Sequence, residues 1–75
     1  MSPQEIGVQF RSRRKYLKLR QRDVAELAGV TLRGLTALEK GTANPTLKQL
    51  VKIADVLGLA FHLSEGTNHA ASSRL

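Results

Sequence analysis

The chain has no cysteine. Neither a disulfide nor a cysteine-held zinc can staple it, and a reducing cytoplasm suits it. No run of about 18 apolar residues occurs, so no membrane span is expected. The N-terminus lacks a basic stretch followed by an apolar one, so no secretory signal is expected. Its two histidines, His62 and His69, lie apart without paired acids nearby, which argues against a metal site. No histidine neighbours a nucleophile, no glycine-rich phosphate loop occurs, and no two carboxylates share a face. The chain is therefore not expected to be an enzyme or to carry a cofactor. Acidic residues are also scarce: six, against twelve lysines and arginines.

That imbalance leaves a net charge of +6 and points to a polyanionic partner. The charge is localised. Residues 11–22 hold Arg11, Arg13, Arg14, Lys15, Lys18, Arg20 and Arg22, with no acid among them. A run of this kind is usually a solvated helix face. Here it abuts a segment with a definite pattern, where phosphates would lie. The whole chain is 75 residues, one small domain with a thin core. Cores of that size are often supported by oligomerisation.

The pattern occupies residues 21–40 and fits two crossed helices joined by a tight turn. Val24, Ala28, Val30, Leu35 and Leu38 are apolar where such helices bury their contact. Ala25 is small where they come closest. Gly29 stands at the turn, where a left-handed backbone is needed. Thr31 can cap the second helix through its hydroxyl.

The flanking elements follow from the same rules. A first helix is predicted over 3–18, capped by Ser2, with Pro3 and Glu5 in its first turn and Ile6, Phe10 and Leu17 on its buried face. The second helix, 21–28, should bury Val24, Leu27 and Ala28. The third, 32–40, should bury Leu35 and Leu38 and end at Gly41. Thr42 to Pro45 read as a loop. Thr46 and Gln49 resemble a capping box for a fourth helix over 47–57. Its apolar stripe is Leu47, Leu50, Val51, Ala54 and Leu57, with Ile53 alongside, and Gly58 ends it. Beyond Gly58, Leu59, Phe61 and Leu63 alternate with Ala60, His62 and Ser64. That period favours a strand over 59–64, with a short fifth helix as the alternative. A lone strand cannot satisfy its own backbone, so its partner should be a second copy of the chain. Residues 65–75 read as a flexible tail.

Extending the motif adds Gln21, Glu39-Lys40-Gly41, Asn44-Pro45, and then Leu50, Ile53, Ala54 and Leu57-Gly58. The span from Phe10 to Leu59 resembles the Cro/cI-type (XRE) helix-turn-helix family, which includes lambda-type phage repressors. Residues 11–15, the Leu38–Gly41 segment and the strand-like ending over 59–63 look most like HipB-type antitoxins. The resemblance implies an all-α, four- to five-helix lambda-repressor-like domain over 1–64 that binds palindromic operator DNA as a two-fold dimer. In HipB-like proteins a C-terminal strand pairs across the dimer, and the protein represses its own operon and binds a HipA-type kinase toxin. The resemblance also implies an ion pair between Arg14 and Glu39 and a phosphate contact at Gln21. Two positions depart from the family. Arg20 stands where a threonine commonly caps the second helix, so the cap is expected to be lost and a positive charge to sit at a positive helix end. Lys18 stands where many relatives have glycine, so a longer or strained turn is expected there.

The remaining contacts follow from geometry. Base readout is expected from the first turns of the third helix, through Thr31, Leu32, Arg33, Gly34, Thr36 and Ala37. Arg33 leads, because a guanidinium can address guanine N7 and O6 together. Leu32 and Ala37 could each cover a thymine methyl, and Gly34 would let the backbone approach. Gln21 stands at a helix N-terminus that suits an anion, and its amide could also brace the third helix. Arg20, Gln21, Arg22, Lys40, Thr42 and Asn44 are the expected phosphate contacts. Leu59, Phe61 and Leu63 are the expected dimer interface. The function expected is sequence-specific repression in a prokaryotic cytoplasm, on the nucleoid when bound, by an antitoxin of a HipA-like kinase. The alternatives are a stand-alone phage-type or metabolic repressor and a protein-interaction module with secondary DNA binding.

Overall fold

In a computed structural model, which describes residues 1–65, four helices follow one another: α1 Pro3–Tyr16, α2 Gln21–Ala28, α3 Leu32–Lys40 and α4 Leu47–Leu57. Side-chain hydroxyls open three of them. Ser2 accepts from the Glu5 amide, Thr31 from Gly34, and Thr46 from Gln49, whose side chain returns the bond to Thr46. Gly29, Gly41 and Gly58 end α2, α3 and α4 in the left-handed conformation.

The core is Phe10, Val24, Ala25, Ala28, Leu35, Leu38, Ile53, Ala54 and Leu57. α1 lies on α3, and α2 packs against both α3 and α4. Gly7 sets the first of these contacts. A Cβ built there would lie 2.5 Å from the Leu38 carbonyl oxygen and 2.7 Å from that of Glu39. Helix backbones meet at that point, and no side chain fits between them. The sequence reading had treated the glycines mainly as caps and turns, and Gly7 is instead a packing residue.

Several expectations need correction. α1 ends at Tyr16 rather than residue 18, so Leu17 turns partly to solvent and Leu19 packs against the core instead. Leu27 is 69% exposed and Leu47 73%, outside the buried stripes assigned to them. Val51 is also largely exposed. In α2 and α4 the buried face is narrower than the apolar pattern, because each presents only one side to its neighbours.

The C-terminal segment departs furthest. Residues 59–65 form neither the expected strand nor a fifth helix in the single chain. The Leu59 amide donates to the Ala54 carbonyl at 2.9 Å, and its side chain packs on the core, so Leu59 completes the cap of α4. Phe61 lies against Phe10, ring centroids 6.0 Å apart. Leu63 is 94% exposed. The physical reason is the one that made a strand depend on a second copy: one chain offers this segment no neighbouring backbone to pair with. The flexible tail expected over 65–75 lies, apart from Glu65, outside the described residues.

Candidate nucleic-acid interface

Arg14 reaches from α1 to the end of α3. Its Nε donates to Glu39 Oε2 at 2.7 Å and its Nη2 to Glu39 Oε1 at 3.0 Å. Its Nη1 donates to the Leu19 carbonyl at 2.9 Å, which ties down the α1–α2 turn as well. Both side chains are enclosed, 11% and 4% exposed. Burial pushes the Glu39 carboxyl up. Hydrogen bonds from Arg14 and Gln21, with the charges of Arg14 and Arg11, outweigh it and hold the group below the usual carboxylate range.

Gln21 joins this pair to α3. Its Nε2 donates to Glu39 Oε1 at 3.0 Å, and its Oε1 accepts from the Thr36 hydroxyl at 3.1 Å. Thr36, expected at the base-reading face, is half-buried and turned toward α2. Four side chains from three helices thus form one continuous network. No buried side-chain polar atom among the described residues lacks a partner.

Arg20 heads α2 without capping it, because a guanidinium has no acceptor. Asp23 supplies the bond from the other side. It accepts from the Arg20 amide at 2.9 Å and from the Arg20 side chain at 3.1 and 3.2 Å. The hydrogen bonds to Arg20 hold Asp23 below the usual carboxylate range. The positive charge expected to strain this helix end is therefore paired. At the turn before it, Lys18 takes φ 59°, a left-handed conformation in a residue with a Cβ.

The basic run divides into two sets. Arg13 and Arg14 are structural: Arg13 Nε donates to the Leu57 carbonyl at 2.9 Å, closing the end of α4, and its guanidinium lies 5.3 Å from the centre of the Tyr16 ring. Sequence reasoning missed the Arg13 role, because a bond across 44 residues leaves no local signal. Arg11, Lys15, Lys18 and Arg22 stay exposed and form no ion pair among the described residues.

The outward side of α3 is a shallow depression lined by Leu32, Arg33, Thr36, Ala37, Lys40 and Thr42. Thr31, Leu32, Arg33 and Gly34 are exposed, and Ala37 is half-buried. Arg33 and Lys40 carry no counter-charge among the described residues. Thr42 donates its hydroxyl to the Ala37 carbonyl at 3.2 Å, and Asn44 is exposed beyond it. A Cβ at Gly34 would lie 2.9 Å from the Thr31 hydroxyl, so the glycine leaves room for the cap of α3. Among the described residues no group of three or more His, Cys, Asp or Glu side chains could hold a metal, and no helix is long and apolar enough to cross a membrane.

A rigid helix with an uncovered cationic face, held by a second helix across a tight glycine turn, is the arrangement of a DNA-reading motif. A helix-turn-helix family model matches residues 10–63. The chain belongs to the Cro/cI-type helix-turn-helix family. It is similar to an uncharacterized HTH-type transcriptional regulator of Methanothermobacter thermautotrophicus, with 46% identity over 49 residues, 65% of this chain and 71% of that protein. As a Cro/cI-type helix-turn-helix protein it is a DNA-binding protein of the transcription-regulator class.

Proposed function

We propose that the chain is a sequence-specific repressor that binds a palindromic operator as a two-fold homodimer. The observation that carries the reading is the contrast between the two sides of α3. The inner side is locked by Leu35, Leu38 and the Glu39 network, while Arg33 and Lys40 stand exposed without counter-charges among the described residues. A locked helix with a mobile cationic edge presents donors to base edges without having to order itself on binding. Gln21, Arg22, Lys40 and Asn44 are placed to hold the flanking phosphates, with Arg20 and Thr42 at the margins of the same face.

Selection of duplexes from a random pool, followed by titration, tests the reading. The enriched site should be palindromic, with half-sites about one helical turn apart, roughly 34 Å. Affinity should fall about 10³-fold or more between roughly 50 and 200 mM salt. Arg33→Ala should weaken the selected site by about 1–3 kcal/mol and leave random DNA nearly unaffected. Failure to enrich any site would remove the repressor reading.

A second reading adds a partner. The exposed Leu63, on a segment outside any helix or strand, favours association through residues 60–64, as in HipB-type antitoxins. In that case a HipA-like kinase encoded beside this gene should co-purify with the chain. A neighbourhood without such a kinase returns the protein to the stand-alone repressors. A protein-interaction module would show salt-sensitive binding with no sequence preference.

A further inference from the structure

Thr36 lies among residues expected to read bases, yet its hydroxyl is already engaged inside the chain. The chemistry of its neighbours fixes the direction of that bond. Glu39 is an ionised carboxylate held by Arg14 and can only accept. The nitrogen of the Gln21 amide must therefore face Glu39, which turns its carbonyl oxygen toward Thr36. The Thr36 hydroxyl must donate. Its one proton is committed, so it has none for guanine N7 or O6 or for thymine O4.

The consequence for Gln21 is larger. A primary amide has one acceptor oxygen and two N–H donors. Thr36 occupies the oxygen and Glu39 one N–H, so the amide cannot rotate without breaking a bond at either end. One side-chain N–H remains, on a residue whose backbone N–H opens α2 and has no partner within the helix. Two donors on one residue at a positive helix end suit a phosphate oxygen. We propose that Thr36 is a positioning residue for this phosphate clamp: it orients the Gln21 amide and does not itself read a base. The proposal rests on the DNA-binding reading given above.

Thr36→Val keeps the shape of the side chain and removes the hydroxyl. It should weaken binding to the selected site and to random duplex by the same factor, about three- to tenfold, the worth of one net hydrogen bond. The salt slope should stay unchanged, because no charge is lost. Thr36→Ser should restore affinity on both duplexes. In the protein without DNA, the two Gln21 side-chain amide proton signals should collapse toward those of a freely rotating glutamine in Thr36→Val and keep their wild-type positions in Thr36→Ser. This arm needs no DNA, so it tests the bond even if no operator is found. Thr36→Ala serves in the same way if the valine variant does not fold. Loss of affinity on the selected site alone would make Thr36 a base reader and overturn the proposal. Unchanged Gln21 amide signals in a folded Thr36→Val protein would overturn it equally.

Discussion

The α1–α3 junction and the segment after Gly58 are opposite solutions to the same problem. At the junction every polar group is matched inside the chain. Arg14, Glu39, Gln21 and Thr36 share their hydrogen bonds, and Gly7 lets two backbones touch. After Leu59 the chain finds only one internal anchor among the described residues, Phe61 on Phe10, and residues 60–64 make no backbone hydrogen bond there. The junction is finished by its own sequence. The segment is finished only by something else. Perturbing the first should cost stability, and perturbing the second should cost association.

The largest effect expected at the junction comes from Glu39→Ala. It leaves the Arg14 guanidinium enclosed with only the Leu19 carbonyl as partner. The cost should be about 3–5 kcal/mol in urea unfolding, a large share of the stability of a small domain. Adding Arg14→Ala should recover part of the loss, since the uncompensated charge goes with it. The same carboxylate predicts a pH dependence. Glu39 is held below its usual value of 4.5, so its contribution is complete above that pH and is lost as pH falls through the lower folded-state value. Melting temperature between about pH 6 and 3 should therefore fall more steeply for wild type than for Glu39→Gln. Parallel curves would show that the pair contributes no proton-linked stability.

Gly7→Ala should follow, at about 1–3 kcal/mol, the usual range for overpacking. Its Cβ meets carbonyl oxygens rather than a side-chain tip, so the helices themselves must part. An unchanged midpoint in denaturant would show that α1 can shift on α3 at no cost, and the junction would then not be rigid.

Those two residues also show what a sequence can reveal. The turn over Gly29, the caps at Thr31 and Thr46 and the stops at Gly41 and Gly58 were legible because each depends on residues within a few positions of one another. The span of α3 and its exposed face followed from them. Gly7 and Arg13 were not legible, because their roles are defined by carbonyls 32 and 44 residues away. Thr36 was misread for a related reason. Its position on α3 is a matter of period, but its orientation depends on Gln21, 15 residues earlier. The alternation over 59–64 was read correctly as a pattern. The structure it would form depends on a second chain, which no single sequence displays.

Lys18→Gly should act in the opposite direction, by less. A left-handed residue with a Cβ costs about 1–2 kcal/mol, and glycine returns roughly 0.5–1 of that through its freer unfolded chain. A net gain of about 0.5–1 kcal/mol is expected in thermal or urea unfolding. Loss of stability would mean that the lysine side chain contributes more than its backbone costs. The exchange also removes an exposed cation beside α2, so a modest loss of affinity for all DNA should accompany the gain.

The smallest effect on the fold should come from ending the chain at Ala60. That length keeps Leu59, whose amide and side chain complete α4. What is lost is the Phe61 contact with Phe10. Phe61 is 40% exposed, so the loss should fall near the low end for an aromatic pair, about 0.5 kcal/mol. Helical circular dichroism should be nearly unchanged, and the melting curve should move little. Association should change completely if residues 60–64 pair across a two-fold axis: sedimentation should give a monomer where the full chain gives a dimer. Each half-site should then bind independently, and affinity for the palindrome should drop to that of a single half-site. A shortened chain that still sediments as a dimer would move the interface onto the helices, where exposed Leu27, Leu47 and Val51 would be the first residues to test. A shortened chain that unfolds would break the comparison itself, because the segment would then belong to the core it was set against.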